Sequence, residues 1–277
     1  ALKQQLAAGA RSFAAARQAA VQALCPGSDI AALLDKPNNN LAVEYCKAII
    51  EQNVEMQPIA LPRQGADHGQ ALTESSHAAF ASASALRALW AEGGAAALAP
   101  YVPEKALKLY KQAEYDGKYT DFAVMGHCEL ALLRAACAGQ APFAAVRGVS
   151  EGLEHRLENA VRETASLPAL LDALTTVRYP RARMRRLAMD AALGYTAQTP
   201  ALPPYLHLLG ARKEALPLLG ETALPLSHSL ARLARENETC AQMAAAQSRA
   251  SDLGALCRAK PEPMGGIYRQ KIIFLTN

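Results

Sequence analysis

The residues best suited to binding chemistry are five arginines within positions 178–186, which read RYPRARMRR. The 277-residue chain has a formal net charge of only +4, so positive charge is concentrated on this short segment. Arginine presents a planar fork of donors that matches phosphate oxygens. The cluster therefore predicts binding to a nucleic-acid backbone; the alternative is a solvated helix whose arginines pair with local carboxylates. The candidate residues are Arg178, Arg181, Arg183, Arg185 and Arg186.

Local signals place this cluster on an amphipathic helix over 179–194. Pro180 fixes the backbone angle wanted in a first helical turn, and Gly194 is a natural stop. Two pairs of arginines lie on the sides of the helix, Arg181 with Arg185 and Arg183 with Arg186, which leaves one apolar face for burial. That predicted buried face consists of Met184, Leu187, Ala188 and Ala191.

Three consecutive asparagines stand in the string PNNNLAVEY at 37–45, where a helix is predicted over 41–52 with an Asn at its N-cap. Capping of backbone N–H groups explains one or two of these carboxamides. At least one side chain is then left over, and a carboxamide can also read the edge of a nucleobase. Ligand contact and plain capping both remain open for this motif.

A second polar motif, ASASALR at 81–87, places small hydroxyl residues at a predicted helix start. Helix N-termini attract anions through their unpaired N–H groups and the helix dipole. Ser82 and Ser84 add hydroxyl donors, and Arg87 adds a charge one turn later. Ordinary capping by serine is the alternative interpretation. Arg63 follows a predicted strand over 55–61, and α/β sheets place ligand contacts at strand ends.

The elements that position these residues are predicted from composition and periodicity. About half of the chain is hydrophobic, aromatic residues make up 5%, and alanine is abundant, which favours a mostly α fold with a small α/β portion. Length allows two domains, which we place at 1–100 and 101–277. Strands are predicted at 55–61, 205–209 and 268–275, and helices at 2–24, 41–52, 80–94, 104–112, 121–138, 150–165, 166–174, 179–194, 211–219 and 225–257.

The six cysteines form no Cys-x-x-Cys pair and have no histidine spacing suited to a tetrahedral metal site. We interpret them as reduced core residues and predict no metal site. His127 and Cys128 are adjacent within a predicted helix, so they point in different directions and do not form a catalytic dyad. No apolar run reaches the length of a membrane span and no secretory signal is visible, so the expected compartment is the cytoplasm.

Taken together, the ordered motifs resemble the tRNA(Met) cytidine acetate ligases, which are built on a nucleotidyltransferase domain of the HxGH superfamily. The resemblance covers most of the chain and is carried by six strings. They are PNNNLAVEY at 37–45, PRQGA at 62–66, ASASALR at 81–87, EGLEHRL at 151–157, RYPRARMRRL at 178–187 and PYLHLLG at 204–210.

The resemblance implies a Rossmann-like ATP-binding portion over 1–100 and a helical tRNA-binding domain over 101–277. It implies ATP with Mg²⁺, activation of acetate to acetyl-adenylate, and acetylation of the wobble cytidine of elongator tRNA(Met). The arginine segment 178–186 would bind tRNA. The same resemblance implies that ATP is contacted by Asn38, Asn39, Arg63, Ser82, Ser84 and Arg87.

The chain departs from the family pattern in two respects, because none of its six histidines lies in a His-x-Gly-His string, and His207 stands where the family prefers Arg. We expect it to lack the N-terminal part of the ligase, and not to turn over ATP by itself. Two alternatives remain open. One is a non-catalytic RNA-binding relative that keeps the helical module, and the other is an HxGH-type transferase for a different acid.

Overall fold

The computed structural model describes residues 1–9, 13–34, 36–61, 81–150 and 152–275. In that part of the chain the first hundred residues form α1 Leu2–Ala7, α2 Phe13–Leu24, α3 Ile30–Leu33, α4 Pro37–Glu51, α5 Ala83–Gly93 and a 3₁₀ helix, Ala95–Leu98. The remainder forms α6 Glu104–Tyr115, α7 Phe122–Ala136, α8 Leu153–Glu163, α9 Leu167–Leu174, α10 Arg181–Ala192, α11 Leu230–Leu233, α12 Glu238–Leu256 and α13 Gly266–Arg269.

Two small parallel sheets lie between α10 and the C-terminus. Strand β1 (Leu206–His207) pairs with β3 (Leu226–Ser227), and β2 (Gly210–Arg212) pairs with β4 (Ile273–Leu275). The 3₁₀ helix Lys213–Glu221 follows β2. The predicted fold class, mostly α with a small α/β portion, is confirmed.

Several element predictions are wrong in detail. Residues 54–61 are irregular and exposed instead of a strand, because the described residues offer no neighbouring strand to pair with them. The predicted helix over 2–24 is two helices, and Gly9 ends the first with a φ of 83°. The segment 211–219 starts in β2 and continues as a 3₁₀ helix containing Pro217. The segment 225–257 contains β3 before its two helices.

The main core is formed by α7, α8, α9 and α10, which pack against one another. In α8 the buried positions follow the helical period, so one apolar stripe faces the neighbouring helices. Leu153, Leu157, Ala160 and Val161 form that stripe. The predicted apolar face of α10 is confirmed, since Met184, Leu187, Ala188 and Ala191 are all buried. A smaller core consists of Tyr205, Leu230, Leu233, Cys240 and Ala244.

Contacts also join the first hundred residues to the helices that follow. Trp90 of α5 lies edge-on to Tyr110 of α6, with ring centroids 5.4 Å apart. The backbone N–H of Ala95 donates a hydrogen bond of 2.9 Å to the Glu114 carboxylate. The domain boundary near residue 100 stays a prediction.

The cysteines, all of which lie in the described residues, are free thiols. Cys240 and Cys257 are buried and the other four are half-buried. Burial, together with a hydrogen bond to Cys128, raises the pKa of the Cys257 thiol to about 11. Burial fits the prediction of core residues for Cys240 and Cys257, whereas the other four thiols are only half-buried, and the raised pKa of Cys257 makes that thiol a poor nucleophile.

An acidic side chain is buried where α7 meets the arginine helix α10. Glu129 is 1% exposed, and its Oε1 atom has no hydrogen-bond partner among the described residues. Burial raises the pKa of this carboxyl from 4.5 to about 7, and the positive charge of Arg185 partly opposes that rise. Desolvation disfavours the charged form, so Glu129 keeps its proton in the folded chain over a pH range in which an unfolded chain releases it.

This proton linkage predicts a pH-dependent stability. Between about pH 4.5 and pH 7 the folded chain binds the extra proton, so the free energy of unfolding falls as pH rises through that window and levels off above it. A gap of this size corresponds to on the order of 3 kcal/mol. The variant Glu129→Gln, which cannot ionise, should therefore gain stability over the unsubstituted chain at pH 8 but not at pH 5.

Urea denaturation at both pH values measures this difference. Glu104→Gln serves as the control, because the side chain of Glu104 on α6 is 80% exposed. Identical pH dependence in Glu129→Gln and the unsubstituted chain would contradict the assignment.

Candidate nucleic-acid and nucleotide-binding residues

The arginine helix α10 begins one residue later than Pro180, which takes the N-cap position with φ −61° and ψ 145°. Its buried face packs against α7 and α9, so the helix is fixed on the core with its basic sides outward. Arg181, Arg183, Arg185 and Arg186 are all exposed, as is Arg178 in the preceding loop. The structure therefore brings the five predicted tRNA-binding arginines onto one exposed segment.

The immediate surroundings of these arginines differ. Arg181 forms an ion pair with Asp172 of α9, which is the local pairing that the alternative interpretation predicts. The charge of Arg185 lowers the pKa of the nearby buried Glu129, while Arg186 has no ion pair or hydrogen bond within the described part of the chain. Carboxylate pairing therefore neutralises only part of the cluster, and a basic surface remains.

Tyr179 anchors the start of this segment. Its ring lies 5.1 Å from the guanidinium carbon of Arg183 and 5.7 Å from that of Arg178, which are cation–π distances. Arg183 also donates a hydrogen bond of 3.4 Å to the Gly148 carbonyl. These contacts hold two of the arginines beside an aromatic ring, an arrangement that suits stacked bases as well as phosphates.

The serine motif forms the N-terminus of α5. The Ser82 hydroxyl caps the helix by accepting a hydrogen bond of 3.2 Å from the Ala85 N–H, and it lies 3.0 Å from the Ser84 hydroxyl. Ser82 is buried and Ser84 is half-buried. Arg87 is exposed and has no hydrogen bond or ion pair among the described residues, so its charge is available to an anion. The motif thus combines a structural cap with a free cation.

The asparagine motif lies inside the first turn of α4 and not at its N-cap, which is Lys36. The N-cap prediction is wrong because Pro37, which lacks an N–H, takes the first helical position and moves the start upstream. The Asn40 amide donates to the carbonyl oxygens of Leu34 and Lys36, at 2.7 and 3.3 Å.

The other two carboxamides of this motif differ from Asn40. Asn38 is exposed and Asn39 is half-buried, and neither has a hydrogen-bond partner in the described residues. An ion pair of 2.7 Å between Arg17 and Glu44 ties α4 to α2. Arg63 lies outside the described residues. A common ATP cleft formed by Asn38, Asn39, Arg63, Ser82, Ser84 and Arg87 stays a prediction.

A cleft that sequence reasoning missed lies beside the start of the arginine helix. It has a volume of about 440 Å³ and lies between α8 and the connection from α9 to α10. Arg156, Asn159 and Glu163 line it from α8, and Ala173 and Tyr179 line the other side. The spacing of three and four residues between these polar side chains of α8 was the available signal, because it places them on one face of a helix.

Within the described ranges, no group of three or more His, Cys, Asp or Glu residues is arranged to hold a metal ion. None of the helices in those ranges is long and apolar enough to span a bilayer.

Solved structures share this fold. The crystal structure of Thermotoga maritima TmcAL (apo, form I) superposes with a TM-score of 0.83 at 21% identity, covering 99% of this chain and 70% of that one. The T. maritima TmcAL structure bound with alpha-thio ATP gives a TM-score of 0.82, also at 21% identity, covering 99% of this chain and 69% of that chain. At 21% identity, this structural similarity establishes that the chain has the same fold, and no more than that.

Curated relatives and a family model identify the chain. The tRNA(Met) cytidine acetate ligase of Listeria monocytogenes serotype 4b is 30% identical over 183 residues, which are 65% of this chain and 45% of the relative. The ligase of Thermoanaerobacter sp. strain X514 is 27% identical over 226 residues, 80% of this chain and 54% of the relative. The chain thus spans about half the length of these relatives. A model described as HIGH Nucleotidyl Transferase matches residues 1–265. The resemblance to the tRNA(Met) cytidine acetate ligases is confirmed, and the chain belongs to the HIGH nucleotidyl transferase family.

Proposed function

We propose that this protein acts in tRNA modification as a tRNA(Met) cytidine acetate ligase. In this proposal ATP activates acetate as acetyl-adenylate, and the exocyclic amine of the wobble cytidine of elongator tRNA(Met) then takes the acetyl group in the cytoplasm, as the anhydride bond breaks, AMP leaves and the amine loses a proton. The observation that carries the proposal is the exposed arginine segment 178–186 fixed on a buried helical core, in a chain whose curated relatives bear that name.

The chemistry requires charge stabilisation at a triphosphate. An acetate oxygen attacks the α-phosphate of ATP, the bond to the β-phosphate oxygen breaks, and pyrophosphate leaves with the displaced electron pair. Ser84 and Arg87 at the start of α5 would stabilise that developing charge, while Asn38, Asn39 and Arg63 would hold the nucleotide. Ser82 would act mainly by capping α5, because its hydroxyl already accepts from the Ala85 N–H. Mg²⁺ would accompany the phosphates of ATP.

Reversal of the first step tests the activation chemistry. The complete product of the coding sequence that contains this chain should exchange labelled pyrophosphate into ATP only when acetate is present. Propionate and formate are the control acids, and neither should support the exchange. Exchange that needs a different acid would identify another HxGH-type transferase, and a folded protein without any exchange would exclude the ligase.

Arg87 offers a direct test of the ATP assignment. Arg87→Ala should lower the acetate-dependent exchange rate at subsaturating ATP by about tenfold, because one charge-assisted contact to phosphate is lost. Arg134→Ala is the matched control, since that guanidinium on α7 donates to the Thr164 carbonyl away from α5. Equal rates in the two variants would remove Arg87 from the nucleotide site.

The tRNA role of α10 is tested by the triple variant Arg181→Ala, Arg185→Ala, Arg186→Ala. Its affinity for tRNA should fall, and the slope of log affinity against log salt should become shallower by about 2, because fewer counterions are released on binding. Filter binding at several salt concentrations measures both quantities. A triple variant at Arg212, Arg232 and Arg235, all exposed and outside α10, is the charge-matched control. If both variants lose affinity equally, the arginine helix has no specific role.

A non-catalytic RNA-binding protein is the second candidate. It is favoured by one observation, the absence of a His-x-Gly-His string in the 277 residues. Tight tRNA binding by the complete gene product, with neither ATP binding nor acetate-dependent exchange, would establish it in place of the ligase.

A further inference from the structure

The cleft between α8 and the connection from α9 to α10 presents three kinds of group to one small volume. Its 440 Å³ falls within the range of small-molecule sites. Leu153 and Ala160 form an apolar floor, Tyr179 contributes an aromatic wall, and the polar groups of α8 complete the lining. An apolar floor, an aromatic ring and a few polar groups are the features with which proteins hold a single nucleobase.

The polar groups on α8 have unused hydrogen-bonding capacity. Asn159 and Glu163 are exposed, lie one helical turn apart, and have no hydrogen-bond partner in the part of the chain that the structure describes. A carboxamide offers one acceptor and two N–H donors, while a carboxylate only accepts. Together they match a base edge that carries both a donor and an acceptor, and all four RNA bases present one: the amino groups of adenine, cytosine and guanine and the N3–H of uracil can donate to the carboxylate, while ring nitrogens or carbonyl oxygens can accept from the carboxamide.

Arg156 supplies the positive charge of the cleft. Its guanidinium donates a hydrogen bond of 2.6 Å to the Ala173 carbonyl across the cleft, which fixes its position. A guanidinium has five N–H donors, so this contact leaves others for phosphate oxygens.

Tyr179 is held rigidly and joins the cleft to the arginine helix. Its backbone N–H and carbonyl bond with Thr176 at 3.2 and 3.0 Å, and the Thr176 hydroxyl accepts a further bond from the same N–H. The next residue, Pro180, is the N-cap of α10. The cleft therefore lies next to the first turn of the arginine helix.

We infer that this cleft binds one unstacked nucleotide of the tRNA, with its base against Tyr179 and its edge on Asn159 and Glu163. The phosphate of that nucleotide lies at Arg156. The inference rests on the proposed tRNA-binding function, but it concerns a separate set of residues from the five arginines.

Nucleotide titration followed by NMR tests the cleft by itself. The side-chain amide of Asn159 should shift on addition of a nucleoside monophosphate, with CMP, GMP, AMP and UMP tested in turn, to the isotope-labelled chain, and Asn159→Leu should abolish the accompanying shift at Tyr179. Ribose 5-phosphate and inorganic phosphate, which lack a base, should leave the Asn159 amide in place. Equal shifts with ribose 5-phosphate, or with phosphate alone, would overturn base recognition, as would the absence of any shift with all four nucleotides.

A matched pair of variants tests the same cleft with tRNA. Arg156→Ala and Arg162→Ala each remove one charge from α8 and one hydrogen bond to a backbone carbonyl, that of Ala173 or Cys137, and Arg162→Ala also removes an exposed ion pair with Glu158. At fixed salt, Arg156→Ala should weaken tRNA binding about fivefold more than Arg162→Ala does, since only Arg156 lines the cleft. Equal losses would overturn the site. If the unsubstituted chain binds no tRNA at all, the proposed function fails, and the nucleotide titration still decides the cleft.

Discussion

The burial of one face of α10 is the constraint on which the basic surface depends. Met184, Leu187, Ala188 and Ala191 pack against α7 and α9, so the other sides of the helix face solvent. Because the arginines alternate with these apolar residues, burial of the apolar face also fixes where the charges point. Hydrophobic packing thus provides the orientation, and the arginines provide the attraction for phosphate.

The helical part of the fold could be predicted well from sequence, since its helices are long and strongly periodic. The buried face of α10 was predicted residue by residue from spacing alone. The short strands were harder, because β2 and β4 each pair with residues that are distant in sequence. The predicted strand at 55–61 is absent because a short, proline-marked segment forms a strand only where a neighbouring strand pairs with it, and the described residues supply none there.

The candidate sites, like the elements of the fold, differ in whether they could be predicted from sequence. The arginine segment and the serine cap of α5 could be predicted because both depend on residues close in sequence. The cleft at Tyr179 could not, because it requires α8 and the loop after α9 to meet, which only tertiary packing decides. Glu129 was also missed, since an acidic residue within an apolar helix gives no local sign that it will be enclosed. Arg63 lies outside the described residues, so the ATP cleft rests on the motif resemblance and on the geometry of α5.

The ion pair between Arg181 and Asp172 has a consequence for ligand choice. The chain itself holds Asp172 next to Arg181, so Asp172 competes with any ligand anion for this guanidinium. Its effective concentration there is high and does not fall on dilution. A single small anion gains little by displacing it. A polyanion that is already bound at neighbouring arginines also holds its next phosphate close to Arg181. That phosphate therefore competes with Asp172 at a comparable effective concentration. The pair therefore weakens the binding of a lone anion at Arg181 more than that of a polyanion, by a modest amount because both side chains are well exposed to solvent.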